Sequence, residues 1–181
     1  LKLQQEIKTM VEIHITRATI ADLKLIRDIS IQTFTETFAG VNTEDNLALY
    51  LLEHLNETVL TKEIKNTESD FFLAKANDTV VGYLKINWGN AQTEFFEGQA
   101  LEIHRIYVLK KYHGQQVGQR LLDRAISAAK HKEAVFIWLG VWENNKKAQN
   151  FYNRNGFTAF DTHVFTLGNE TQTDLLYKLD L

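Results

Sequence analysis

The chain has 181 residues, 44% of them hydrophobic, which suits one well-buried domain better than two. A net charge of −3 argues against a nucleic-acid partner held through its phosphates, and the lack of cysteine excludes disulfides, thiolate metal sites and a cysteine nucleophile. No apolar run approaches the roughly 18 residues that span a bilayer, so no membrane is expected as a partner and a cytoplasmic location is.

Leu1 to Thr9 precede the only methionine, Met10, and are expected to be an upstream extension, leaving residues 10–181 as a single domain. Val11, Ile13 and Ile15 alternate with Glu12, His14 and Thr16, as a half-buried strand does. Thr19 is placed to cap a helix carrying Ile20, Leu23, Ile26 and Ile29, which Thr33 to Phe38 extend and Gly40 ends. Two more amphipathic helices are expected, one after Thr43 with Leu47, Tyr50, Leu51 and Leu52, the other over Glu57 to Lys65 after Asn56. Phe71 to Ala74 and Val80 to Ile86 read as a hairpin around Asn77-Asp78, and Gly89 to Gln99 as a polar loop.

From Leu101 a β-branched and aromatic run ends in a short basic turn. The pattern then becomes helical through Val117, Leu121, Leu122, Ala125, Ile126 and Ala129, ending near His131. Amides at the start of a helix have no partner within it and carry partial positive charge, so a strand, a glycine-bearing loop and a helix in this order suit a phosphate. Ala134 to Val141 is apolar throughout, as a strand buried on both faces is. A short helix over Asn145 to Asn155 follows, then a last strand pair, Phe157 to Leu167 and Thr171 to Leu181, around Gly168-Asn169. These elements require a mixed α/β sheet with helices on both faces.

The stretch Tyr112 to Leu122, with Asn145 to Phe157 about thirty residues later, resembles the GNAT superfamily of acetyl-CoA-dependent N-acetyltransferases. Arg105-Ile106-Tyr107-Val108, Trp138 to Glu143 and Phe165 to Gly168 are similar, more narrowly, to its bacterial spermidine/polyamine N-acetyltransferase branch. The resemblance implies an α+β fold with a mixed, mostly antiparallel sheet of about seven strands. It implies acetyl-CoA as co-substrate, a small-molecule amine as acceptor, direct transfer in a ternary complex and no metal, and it allows a homodimer. One departure stands out. The superfamily pattern has a basic residue or Gln, two residues, Gly, one residue, then Gly or Ala. Here His113 comes first, Gln116 stands where the first glycine is expected, and Gly118 is the second.

By the same resemblance, the backbones of Ile106, Tyr107 and Val108 meet the pantetheine arm. His113, Gly114, Gln115, Gln116, Val117, Gly118 and Gln119 surround the pyrophosphate, and Asn145 lies near the cofactor arm unless it only caps its helix. Tyr152 falls where the family keeps a tyrosine beside the CoA sulfur; without the family, Phe151-Tyr152 reads as core packing. Period-two alternation puts Glu102, His104, Ile106 and Val108 on one face of their strand. There Glu102 matches a glutamate that relays the amine's proton through water, and His104 suits the same relay, unless these are solvated positions. Glu36, Glu44 and Asp45 flank the acceptor site, where carboxylates suit a polyamine, though acids near helix starts also answer the dipole. Acetylation of a protein or peptide, or CoA binding without catalysis, stay open beside this reading.

Overall fold

The computed structural model describes residues 12–167 and 170–181, with the side chains of 165–170 left aside. The expected upstream extension and the Gly168-Asn169 turn lie outside the described residues.

Seven strands form one sheet in the order β1-β2-β3-β4-β5-β7-β6: β1 (Ile13–Arg17), β2 (Ser69–Ala76), β3 (Thr79–Trp88), β4 (Ala100–Val108), β5 (Phe136–Trp142), β6 (Thr158–Leu167) and β7 (Glu170–Asp180). Only β4 and β5 run parallel. Three strands each carry one extra residue, Val81 in β3, His104 in β4 and Phe160 in β6, where the pairing register slips.

Helices cover both faces, as the crossovers demand. On one face lies α4 (Val117–His131), which buries Val117, Leu121, Leu122, Ala125, Ala128 and Ala129, a stripe with the 3.6-residue period. Beside it, α5 (Lys146–Arg154) contributes Ala148, Phe151 and Tyr152 to the same core, with Ile103, Leu139, Val141 and Tyr177 from the sheet. On the other face, α1 (Leu23–Phe38), α2 (Glu44–His54) and α3 (Glu57–Lys65) enclose Ile26, Phe34, Leu60, Phe71 and Tyr83. The caps read from sequence hold: Thr43 Oγ1 accepts from Asn46 N at 3.2 Å, and Asn56 Oδ1 from Val59 N at 2.9 Å. Thr19 caps a single 3-10 turn, Ile20–Asp22, before α1 begins, and α1 stops two residues short of Gly40.

Within the α1 face sits a buried ionic cluster. Glu63 of α3 meets Lys85 of β3 at 2.7 Å and grips Arg105 of β4 through both oxygens, at 2.7 and 3.0 Å. Burial, seconded by the Arg105 charge, pushes the Lys85 ammonium down to about 8, while the two cations keep the Glu63 carboxyl below its ordinary value against the effect of its own burial. One carboxylate serves two buried cations, so its loss leaves both uncompensated. Glu63→Gln is expected to lower stability by roughly 3 kcal/mol, read from the urea midpoint at unchanged m-value.

Candidate active site

β4 and β5 pair over three residues only, Ala100 to Glu102 against Phe136 to Trp138, and then part. The cause lies in β4. Lys85 faces Arg105 and the next residue, Ile86, faces Ile103, so His104 is an unpaired extra residue that bends the strand. Between the diverging strands opens a cavity of about 980 Å³.

The bulge also reverses which side chains share a face. Leu101 and Ile103 point into the α4 core before it, and Ile106 and Val108 after it, while Arg105 and Tyr107 turn to the α1 face. Glu102, alternating with Leu101 and Ile103, is on the α1 face too. The expectation that Glu102, His104, Ile106 and Val108 line one face is therefore corrected, because one added residue restarts a period of two. Leu109 N–H donates to Val81 O, so by ladder alternation the amides and carbonyls of Ile106 and Val108 face the gap rather than β3.

The loop after β4 turns through two left-handed residues, Gly114 at φ 78° and Gln116 at φ 62°, before α4 starts. Gln116 thus adopts the conformation for which glycine was expected, and Gly114 has nothing within 4 Å of where a Cβ would stand. His113 anchors the loop. Lys147 Nζ lies 2.9 Å from its Nδ1; an ammonium only donates, so Nδ1 accepts and Nε2–H donates to Val108 O at 2.8 Å. The ring thereby occupies one of the carbonyls on the gap edge. Gln115 turns away to donate to Lys111 O and does not line the cavity, whereas Gly114, Gln116, Val117, Gly118 and Gln119 do. Asn145 caps α5, its Oδ1 accepting from Ala148 N at 3.1 Å, and also lines the cavity.

Glu102 and Tyr152 enter the cavity from opposite faces of the sheet. Glu102 is 3% exposed and fully engaged: Thr93 Oγ1 donates to Oε1 at 2.6 Å, and Thr93 N and Asn87 Nδ2 each donate to Oε2 at 3.0 Å. Ser69 Oγ donates in turn to Asn87 Oδ1 at 2.8 Å. Burial raises the Glu102 pKa and these donors oppose the rise. Tyr152, packed edge-on to Phe151 at 5.3 Å, is raised by burial alone and so stays protonated. His104 lines the cavity with a buried, unpartnered Nδ1. Burial, with the charges of Arg105 and Lys85, pushes its pKa well below the usual imidazole value, so it stays neutral and poorly matched to proton transfer near pH 7.

Residues 28–157 match the model of the Acetyltransferase (GNAT) family. The chain belongs to that family. An uncharacterized N-acetyltransferase of Lactobacillus delbrueckii subsp. lactis is 37% identical over 93% of this chain and 98% of its own length. The spermidine N(1)-acetyltransferase of Thermoplasma acidophilum is 25% identical over 83% and 91% respectively. In fold, the chain is similar to the PaiA N-acetyltransferase of Thermoplasma acidophilum in complex with coenzyme A, with a TM-score of 0.77 at 22% identity over 94% of this chain and 99% of that one. This GNAT protein is an acetyl-CoA-dependent N-acetyltransferase. Its own features fit that co-substrate: unpaired edge amides at Ile106 and Val108 for an amide-bearing arm, and a left-handed turn at a helix start for phosphates.

The part of the cavity on the α1 face is where the resemblance expects the acceptor. Glu36 lines it but already accepts from Lys110 N at 2.7 Å. Glu44 and Asp45 are exposed in the first turn of α2 and outside the cavity, where they answer the helix dipole. The sequence reading gave no site role to Thr93, Asn87, Arg105, Tyr50, Trp142, Lys147 or Asp174. Of these, the acid directly before Leu175-Leu176-Tyr177 in β7 was the one visible signal.

Left-handed backbone costs a residue with a side chain about 1–3 kcal/mol, and introducing glycine gives back about 0.4–1 kcal/mol through the unfolded chain. Gln116→Gly is accordingly expected to stabilise the fold by roughly 1 kcal/mol, seen as a higher Tm.

Proposed function

We propose that the chain acetylates a primary amine of a polyamine by direct attack in a ternary complex, with Glu102 as base and Tyr152 as acid. The observation that carries this reading is the placement of those two groups. One buried carboxylate and one protonated phenol reach a single cavity from opposite faces of the sheet, where β4 and β5 part.

Acetyl-CoA supplies the activated acetyl thioester. The amides of Ile106 and Val108 hold its amide-bearing arm in the gap, and the loop from His113 to Gln119 holds its phosphates. Glu102, with its three donors fixing it in place, takes a proton from the acceptor's ammonium, directly or through one water, and the free amine so formed attacks the thioester. Its raised pKa improves it as a base. Tyr152, held protonated, gives its phenolic proton to the departing sulfur and is restored by the second proton that the newly acylated nitrogen sheds. The spermidine N(1)-acetyltransferase relative supports a polyamine acceptor, as do the carboxylates of Glu102 and Asp174 in the acceptor half. Gln116, the one departure that pointed towards a non-catalytic CoA binder, takes the backbone geometry of the glycine it replaces.

Thiol release measured with spermidine, spermine, a monoamine and a lysine peptide tests the acceptor: turnover of the polyamines well above the peptide is expected, and equal rates would sink that part. Tyr152→Phe should lower kcat about 100-fold with acetyl-CoA affinity nearly intact.

The pH profile separates Glu102 from the substrate's own titration. As a base Glu102 works only ionised, so activity falls as pH drops through its raised pKa. Thr93→Val removes a donor that favours the charged form, so this limb should move to higher pH. The amine's own limb would stay where it is.

A further inference from the structure

We propose that Asp174 and the aromatic wall beside it form a second cation subsite, so that the chain selects acceptors with another ammonium group spaced well away from the amine it acetylates. This inference rests on the acetyl-transfer reading above and adds to it the residue that measures the acceptor's length.

Asp174 lies in β7 directly opposite Trp142 of β5 and His163 of β6, which puts the three side chains in one row across the sheet. The row faces the acceptor half of the cavity. At Gly140 an added Cβ would meet Asp174 Oδ2 at 3.3 Å, so the carboxylate leans over the one residue of β5 that has no side chain. Neighbouring cations are already matched. His163 is paired with Glu94, and Arg105 is held by both oxygens of Glu63. The Asp174 side chain makes no hydrogen bond or contact ion pair among the described residues; burial raises its pKa, and the nearby His163 charge opposes the rise. A carboxylate kept in a cavity without a contacting counter-ion is suited to receive one.

The wall beside it is aromatic. Phe34 and Tyr50 stack at 4.2 Å, Phe38 and Trp142 lie 6.4 Å apart, and the Asp174 charge is felt at Tyr50. Ring faces with one carboxylate are what an alkylammonium needs, because the rings attract its charge and its methylenes alike. Spacing follows from the strand. Trp138 pairs with Glu102, and Gly140 and Trp142 lie two and four residues further along β5, roughly 7 and 13 Å at about 3.3 Å per residue. An amine held at Glu102 leaves a second nitrogen on a chain of four or more carbons within reach of Asp174, and a shorter diamine out of reach.

The test compares kcat/KM for 1,4-diaminobutane and spermidine with that for butylamine. The wild type should favour the two longer cations about tenfold or more, mostly in KM. Asp174→Asn should lower that ratio by about the same factor. Gly140→Ala, which crowds the carboxylate without removing it, should lower it too. A wild type without the preference, or a ratio that survives Asp174→Asn in a folded variant, overturns the subsite. If no amine is acetylated, the acetyl-transfer reading fails, and calorimetric binding of 1,4-diaminobutane in the presence of CoA decides alone. Weaker binding by Asp174→Asn upholds the subsite, and equal binding removes it.

Discussion

The site depends on one extra residue. His104 has no partner in β3, and the bend it imposes ends the parallel pairing of β4 with β5 after Glu102. Two strands that would otherwise have continued their hydrogen bonds instead present bare edges to a cavity. The same slip turns Arg105 and Tyr107 towards the α1 face and Ile106 and Val108 towards α4. Without it Glu102 would share a face with Ile106, and the proposed base and cofactor arm would compete for one side of the sheet.

Several charges inside this small domain have a local partner. Glu63 answers Lys85 and Arg105, Glu94 answers His163, and Glu36 is taken by the Lys110 amide. Among the described residues Glu102 has no cation at contact distance and is held by neutral donors instead. That distinction matters for chemistry. A carboxylate locked to a guanidinium is a poor base, because the guanidinium holds its pKa down, whereas one held by hydroxyl, amide and backbone donors in a dry setting keeps its basicity. The loop between β3 and β4 takes part in this arrangement: Thr93 holds Glu102, Gln92 accepts from Trp138 Nε1 at 2.8 Å, and Phe96 packs edge-on to Trp138 at 5.0 Å.

Much of the fold was legible because local chemistry announced it. Thr43, Asn56 and Asn145 cap helices as their side chains dictate, and the α4 stripe is the stripe of the structure. The seven-stranded sheet and the family came through the loop and helix motifs together. The faces of β4 did not, since a bulge leaves no mark in composition and exists only as a mismatch with another strand. Thr93 and Asn87 are ordinary polar residues until folding brings them to Glu102 across 9 and 15 positions of sequence. Glu44 and Asp45 misled for the opposite reason: their residue type suited a cationic substrate, but the start of α2 is where acids go in any case.

The slip at Phe160 in β6 has a consequence for the molecule's outer boundary. β6 ends the sheet, and Phe160 and Val164 are 37% and 64% exposed along it. A long, flat, apolar border strand is a template on which another chain can add itself and begin to aggregate. The unpaired residue between Ala159 and Asp161 breaks the even run of donors and acceptors that such an addition requires, and Asp161 places a charge beside it. A misalignment of one residue therefore opens a working cleft in the middle of the sheet, and at its margin discourages self-association.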